Sequence, residues 1–202
     1  MPRHRPFFFA ALNTGPALIH TGRWLRQIVV GLGLCPFAAP VLNNGRLRVA
    51  CCAAGVRRAM HEAVVDELER LRNTPDTELA TSLLVFTGGL HAFDDYLDFV
   101  DEAQALLEAA DLLGEIQIAS FHPAYRFAGE LADAPSHYTN RSPYPTLHFI
   151  REAQLEAVLA KYPDAEAIPR RNIDTMDRLG VAQLQQMLAD IAATHRSNGD
   201  SP

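Results

Sequence analysis

Several common features are missing from this sequence, and each absence narrows what the chain can be. Three cysteines in 202 residues give no even disulfide framework, which fits a protein kept in a reducing cytoplasm. No run approaches the ~18 consecutive apolar residues of a membrane-spanning helix. Positive charge is scarce: 18 Lys and Arg face 24 acidic residues, for a net charge of −6. A chain so balanced has no general basic face for nucleic-acid phosphates, although a local basic pocket for a small anion stays open. Internal repeats, low-complexity blocks and a dinucleotide fingerprint are all absent. Gly88-Gly89 lacks the lysine and hydroxyl of a P-loop, and Asp94-Asp95 beyond it complement a helix dipole without any ligand. What is left is a soluble globular chain, 48% hydrophobic and 21% charged, of single-domain length.

The first residues, MPRHRPFFFAALNTGPALIH, place Phe7, Phe8 and Phe9 after basic residues in the manner of a secretory signal. The apolar run ends at Leu12, and no small-residue cleavage site follows. Residues 1–20 are therefore expected to be a mobile extension, 21–196 a single globular domain and 197–202 a disordered tail.

Periodicity then orders the rest. Thr21 is placed as the N-cap of a helix carrying Trp24, Leu25, Ile28 and Val29, which ends near Gly31 or Gly33. Leu34-Cys35-Pro36-Phe37 forms a turn. A strand over 46–52 precedes a helix over 56–71, and TSLLVF at 81–86 reads as a strand buried on both faces. A long helix from about 92 to 112 should turn Phe93, Leu97, Val100, Leu107 and Ala110 inward, followed by strands over 115–121 and 146–150. Helices near 155–159 and over 173–191, interrupted at Gly180, complete the chain. Strands alternating with amphipathic helices predict an α/β fold, or α+β at the margin: a small mixed, partly parallel sheet of about four strands covered by helices. The last strand, reached without a clear helix, is free to run antiparallel.

Between the last two strands lies SFHPAYRFAGELADAPSHYTNRSPYPTLHFIR, residues 120–151, with three histidines, three tyrosines, three arginines and four prolines. It is too polar for a core element and too aromatic for a linker, the profile of a rigid loop that carries a site. His122 follows the third strand, where ligands of open α/β sheets bind, and its side chain titrates near working pH. Arg141 offers a planar fork for a carboxylate or phosphate, and Asn140 both donates and accepts. The competing reading makes Asn140-Arg141 an internal clamp, with Arg141 paired to Asp133 or Glu130. His148, in a strand, faces away from Leu147 and Phe149 and reads as half-buried and satisfied. Cys35 sits at a proline turn, where a nearby histidine would make it a nucleophile and burial would make it an inert hydrophobe. Cys51-Cys52 end a strand and should point to opposite faces. Asp94, Asp98 and Asp101 read as a solvated helix face, and Arg170-Arg171-Asn172 as a polar cluster that either folds back to the loop or faces water.

Four segments, WLRQIVVGLGLCPFA, SFHPAYRFAG, YTNRSPYPTLHFIR and IPRRNI, resemble domain-of-unknown-function family 1415 of bacteria and plants, in the same order and over about 21–180. The resemblance implies a self-contained, cytoplasmic bacterial domain and brings no activity, cofactor or catalytic residue. Cys35, His122, Asn140, Arg141 and His148 match its motif positions, whereas His137 stands where Asn is expected.

The leading expectation is a small-molecule enzyme of hydrolase or transferase type, its pocket built from the 120–148 loop and the Cys35 turn. His122 would be the acid/base, with Cys35 and Tyr125 as further catalytic candidates, and Asn140, Arg141, His148 and Arg126 would bind a small polar or anionic ligand. The alternatives are a non-catalytic ligand- or partner-binding protein using the same loop, and a metal site through His122 and His148. The cofactor and the oligomeric state are left open, with no nucleic acid or membrane partner expected.

Overall fold

The computed structural model describes residues 15–162 and 164–193. Helix α1 (Pro16–Trp24) starts earlier than Thr21 because Gly15 is extended and Pro16 occupies the first turn. Proline suits that position, since its missing N–H is one of the unpaired donors and its φ is already helical. Ala17, Leu18 and His20 are buried, so residues 16–20 belong to the domain and not to an extension. The expectations for residues 1–14 and 197–202 fall outside the described residues.

α1 runs directly into a π-helical turn, Leu25–Val30. There the Gly31 N–H reaches back five residues to the Arg26 carbonyl at 3.0 Å, and Leu34 likewise to Val29 at 2.9 Å. Glycine is needed at 31, where an added Cβ would lie 2.3 Å from the Gln27 carbonyl oxygen. Wide turns of this kind are rare and occur often at functional sites. Here the turn delivers the chain to the 34–37 bend, after which α2 (Ala38–Asn43) begins.

Four strands form one sheet: β1 (Leu47–Cys52), β2 (Thr81–Phe86), β3 (Ile116–Phe121) and β4 (Thr146–Arg151), in the order β1-β2-β4-β3. β1 and β2 are parallel, and β4 runs antiparallel to both of its neighbours, β2 and β3. The sheet is therefore mixed, as expected. The helices α3 (Arg57–Asn73) and α4 (Phe93–Ala109) cover one face, packing Met60, Val64, Leu68, Phe99 and Leu107 on Leu84, Phe86, Leu147 and Phe149. The other face carries α1, the π turn and α6 (Ile168–Ala193), with Trp24, Leu25, Ile28, Met176 and Leu184 against Val49, Leu83 and Val85. β2 is buried at all six positions, which is what its unbroken apolar run requires between two layers. α5 (Glu152–Leu159) follows β4 directly, and α6 kinks at Gly180, where φ is 72°.

The inward face of α4 differs from the expected one. Tyr96, Phe99, Ala103 and Leu107 are buried, while Leu97 is 40% exposed. Tyr96 decides the rotation. Its hydroxyl donates to the Thr146 carbonyl at 2.8 Å and accepts the Phe121 N–H at 3.0 Å, stitching the end of β3 to the start of β4. A tyrosine whose polar tip finds two backbone partners can be buried whole.

Candidate functional site

The 122–145 loop is pinned chiefly by its own polar side chains. His122 is 1% exposed; its Nδ1 accepts the Ala124 N–H at 3.0 Å, so its Nε2–H donates to the Leu90 carbonyl at 3.0 Å. Burial pushes its pKa down. His137 repeats the device, accepting from the Phe127 N–H at 3.2 Å and donating to the Leu131 carbonyl at 2.8 Å. Both imidazoles are neutral two-ended braces. The Asn140 side-chain amide donates to the Ser120 carbonyl at 3.1 Å, and the Asn140 backbone carbonyl accepts the His122 N–H at 3.2 Å.

Arg141 is not the clamp on Asp133 or Glu130 that was one of the two expectations for it. Its guanidinium lies 4.3 Å above the buried Tyr138 ring and its Nε donates to the Tyr125 carbonyl at 3.3 Å. Among the described residues no carboxylate comes within ion-pair distance of it, Asp133 and Glu130 included. The Trp24 indole donates to the Arg141 carbonyl at 3.0 Å and meets Phe121 edge-on, locking α1 to the loop. Tyr125 packs between Phe93, tilted to it, and Phe127, which it meets edge-on, and Arg126 is exposed.

With so many of its polar groups turned onto the backbone, the loop presents a different surface to its neighbours. A cavity of about 520 Å³ opens between the loop, the Cys35 turn and the start of α6. Val29, Leu34, Phe121, Phe127 and Ile173 supply apolar wall, and Thr139, Asn140, Asn172, Cys35 and the exposed Glu130 line it as well, with Ser136. Asn172 holds the geometry by donating to the Leu34 carbonyl at 2.8 Å, while its neighbours Arg170 and Arg171 are exposed. Ser136 is 4% exposed, and its hydroxyl has no hydrogen-bond partner among the described residues. His122, Arg141 and Tyr125 are not among the lining residues. The structure brings together Cys35 and Asn140 and leaves the expected acid/base outside.

Cys35 also borders a groove of about 670 Å³ along α6, and a small cavity of about 70 Å³ that it shares with Trp24, Phe37, Thr81 and His148. His148 faces this side of the sheet, opposite Leu147 and Phe149, as alternation predicts. Its Nε2–H donates to Thr81 Oγ1 at 2.7 Å, and that hydroxyl donates onward to the Phe149 carbonyl at 2.5 Å. Its remaining accessible surface opens on the small cavity, and burial lowers its pKa to about 4. Burial pushes the Cys35 thiol the other way, upward. A weakly basic imidazole and a thiol held protonated share a wall without a hydrogen bond between them.

His122 packs against Phe93 and Tyr96 of α4, and His148 lies on the opposite face against Phe121. They do not converge, and no group of three potential metal ligands occurs among the described residues. Cys52 joins the core under α3 while Cys51 is exposed, the opposite-face arrangement expected of neighbours in a strand. No helix of the described residues is long and apolar enough to cross a membrane. Sequence reasoning missed Ser136, an unremarkable serine in a short 3₁₀ turn, and the π turn, which carries no residue-type signature.

These features define a three-layer α/β protein whose brace-held loop walls a mixed-polarity cavity at a cysteine turn. The chain belongs to the family described as "Protein of unknown function (DUF1415)", which it matches over residues 17–186. No curated protein and no solved structure matches it.

Proposed function

We propose that the chain binds a small, largely apolar molecule with a polar end in the cavity bordered by Cys35, Asn140 and Asn172. The single observation that carries this is the cavity itself: about 520 Å³, with Val29, Leu34, Phe121, Phe127 and Ile173 on its apolar side and Thr139, Asn140 and Asn172 on its polar side. That volume lies within the ~300–1,000 Å³ range of small-molecule sites, which pair an apolar lining with a few polar groups in this way. The binding reading stands ahead of the hydrolase or transferase reading for two reasons. Both nitrogens of His122 are engaged with backbone, and Cys35 keeps its proton at neutral pH.

The test is native mass spectrometry and thermal-shift screening of the purified protein against a metabolite collection, repeated with Ala128→Trp, which puts a bulky ring at an exposed position of the cavity lining. The variant should keep the wild-type stability and bind any ligand found at least roughly tenfold more weakly, a change of about 1.4 kcal/mol. No ligand for the wild type, or a ligand whose binding Ala128→Trp leaves unchanged, would show that the cavity is idle.

A further inference from the structure

We propose that the ligand is an amphipathic anion, its apolar body in the cavity under the loop and its carboxylate or phosphate head in the adjoining groove along α6. This rests on the binding reading above. Cys35 and Asn172 line both spaces, so the two adjoin at that pair, and the proposed ligand extends across it. The spaces differ in chemistry. No cationic side chain lines the loop cavity, whereas Arg171 and Arg178 border the groove together with Thr175 and Tyr162.

Helical geometry places those cations together. Arg171, Thr175 and Arg178 fall at i, i+4 and i+7, on one face of α6. Thr175 donates to the Arg171 carbonyl at 2.8 Å and accepts from Arg178 Nη2 at 3.0 Å, which holds the second guanidinium over the groove. Among the described residues neither arginine makes an ion pair, while the groove's own carboxylate, Asp174, is engaged by Arg170 at 3.1 Å. In a chain with 24 acidic against 18 basic residues, two unpaired arginines on one stripe beside an apolar cavity make a head-group site. The guanidinium fork favours carboxylate and phosphate over a neutral polar group. The loop itself offers no equivalent, since Arg141 faces Tyr138 and does not line the cavity.

Titration calorimetry with 1-octanol and octyl phosphate at low ionic strength separates the two readings. Octyl phosphate should bind at least tenfold more tightly than octanol. That gap should close in the Arg171→Ala/Arg178→Ala double variant and shrink in 0.5 M salt, which screens exposed charges. Both arginines are exposed, and circular dichroism should show the variant folded as the wild type is. Equal affinities for the two probes, or a gap that survives in the double variant, would overturn the head-group site and leave the cavity reading standing. Binding of neither probe would remove the cavity reading itself, and this inference with it.

Discussion

His148 should make the protein lose stability as pH falls through the weakly acidic range, by an amount that can be isolated. In the fold its imidazole is neutral, donating to Thr81 and otherwise facing a small apolar cavity. Burial lowers its pKa from 6.5 to about 4, whereas the unfolded chain takes up the proton at the ordinary value. The unfolded state therefore binds more protons between these values, and stability falls as pH falls. The contribution is complete above pH ~6.5 and lost by about pH 4; at about 1.36 kcal/mol per pKa unit it amounts to about 3 kcal/mol. Against a typical domain stability of ~5–15 kcal/mol this is readily measured. His122, whose pKa burial also lowers, adds a loss of the same sign, so the wild-type slope alone is not diagnostic. His148→Gln keeps a donor for Thr81 and removes the titration. Urea unfolding followed by the fluorescence of Trp24, the only tryptophan, should show wild type losing about 2 kcal/mol more than the variant between pH 7 and 5, most of the linked total. Parallel pH profiles for the two proteins would refute the buried neutral imidazole.

Arg141→Ala should cost less than about 2 kcal/mol, because it removes a stacking contact and one hydrogen bond and strands no buried carboxylate; a urea-unfolding loss of 3 kcal/mol or more, the range for breaking a buried ion pair, would show a carboxylate partner. Alkylation at neutral pH should be slow at Cys35, whose thiol is raised by burial, and faster at exposed Cys51; peptide mapping that finds Cys35 labelled first would restore a nucleophile there. Tyr96→Phe should cost about 1–3 kcal/mol by leaving the Thr146 carbonyl and Phe121 N–H without their shared hydroxyl, and an unchanged denaturation midpoint would mean that the stitch between β3 and β4 is redundant.

Much of the fold was legible because each element declares itself through period. TSLLVF gave β2 with its bounds intact, and the absence of a helix between β3 and β4 left room for the antiparallel strand that forms there. Errors arose where a polar group is buried with a partner. Tyr96 turned α4 by a side-chain hydroxyl that a hydrophobicity pattern counts as surface. The start of α1 was missed because Pro16 was read as part of an irregular extension, although proline in a first turn is a helix signal. For the candidate site, residue diversity pointed to the loop, and the structure divides the residues named there between cavity lining and loop bracing. Cys35 and Asn140 do line the cavity, while the histidine chosen as its acid/base braces the loop from behind.

That division follows from what a long irregular connection requires. A loop of this length crossing the sheet edge leaves many backbone N–H and C=O groups without a ladder, and each must find a partner. The side chains of His122, His137, Asn140 and Arg141 meet much of that demand, taking up the Ala124 and Phe127 N–H groups and the Leu90, Leu131, Ser120 and Tyr125 carbonyls. Histidine and asparagine suit such a loop because they both donate and accept, and arginine because it donates in several directions. The consequence is a stiff wall. Phe121, Phe127 and Ser136 are then held in place facing Cys35 and Asn172, at low entropic cost to a ligand that binds between them. On the proposed reading, the polar loop prepares the wall, and the smaller residues beside it, together with the first turns of α6, meet the ligand.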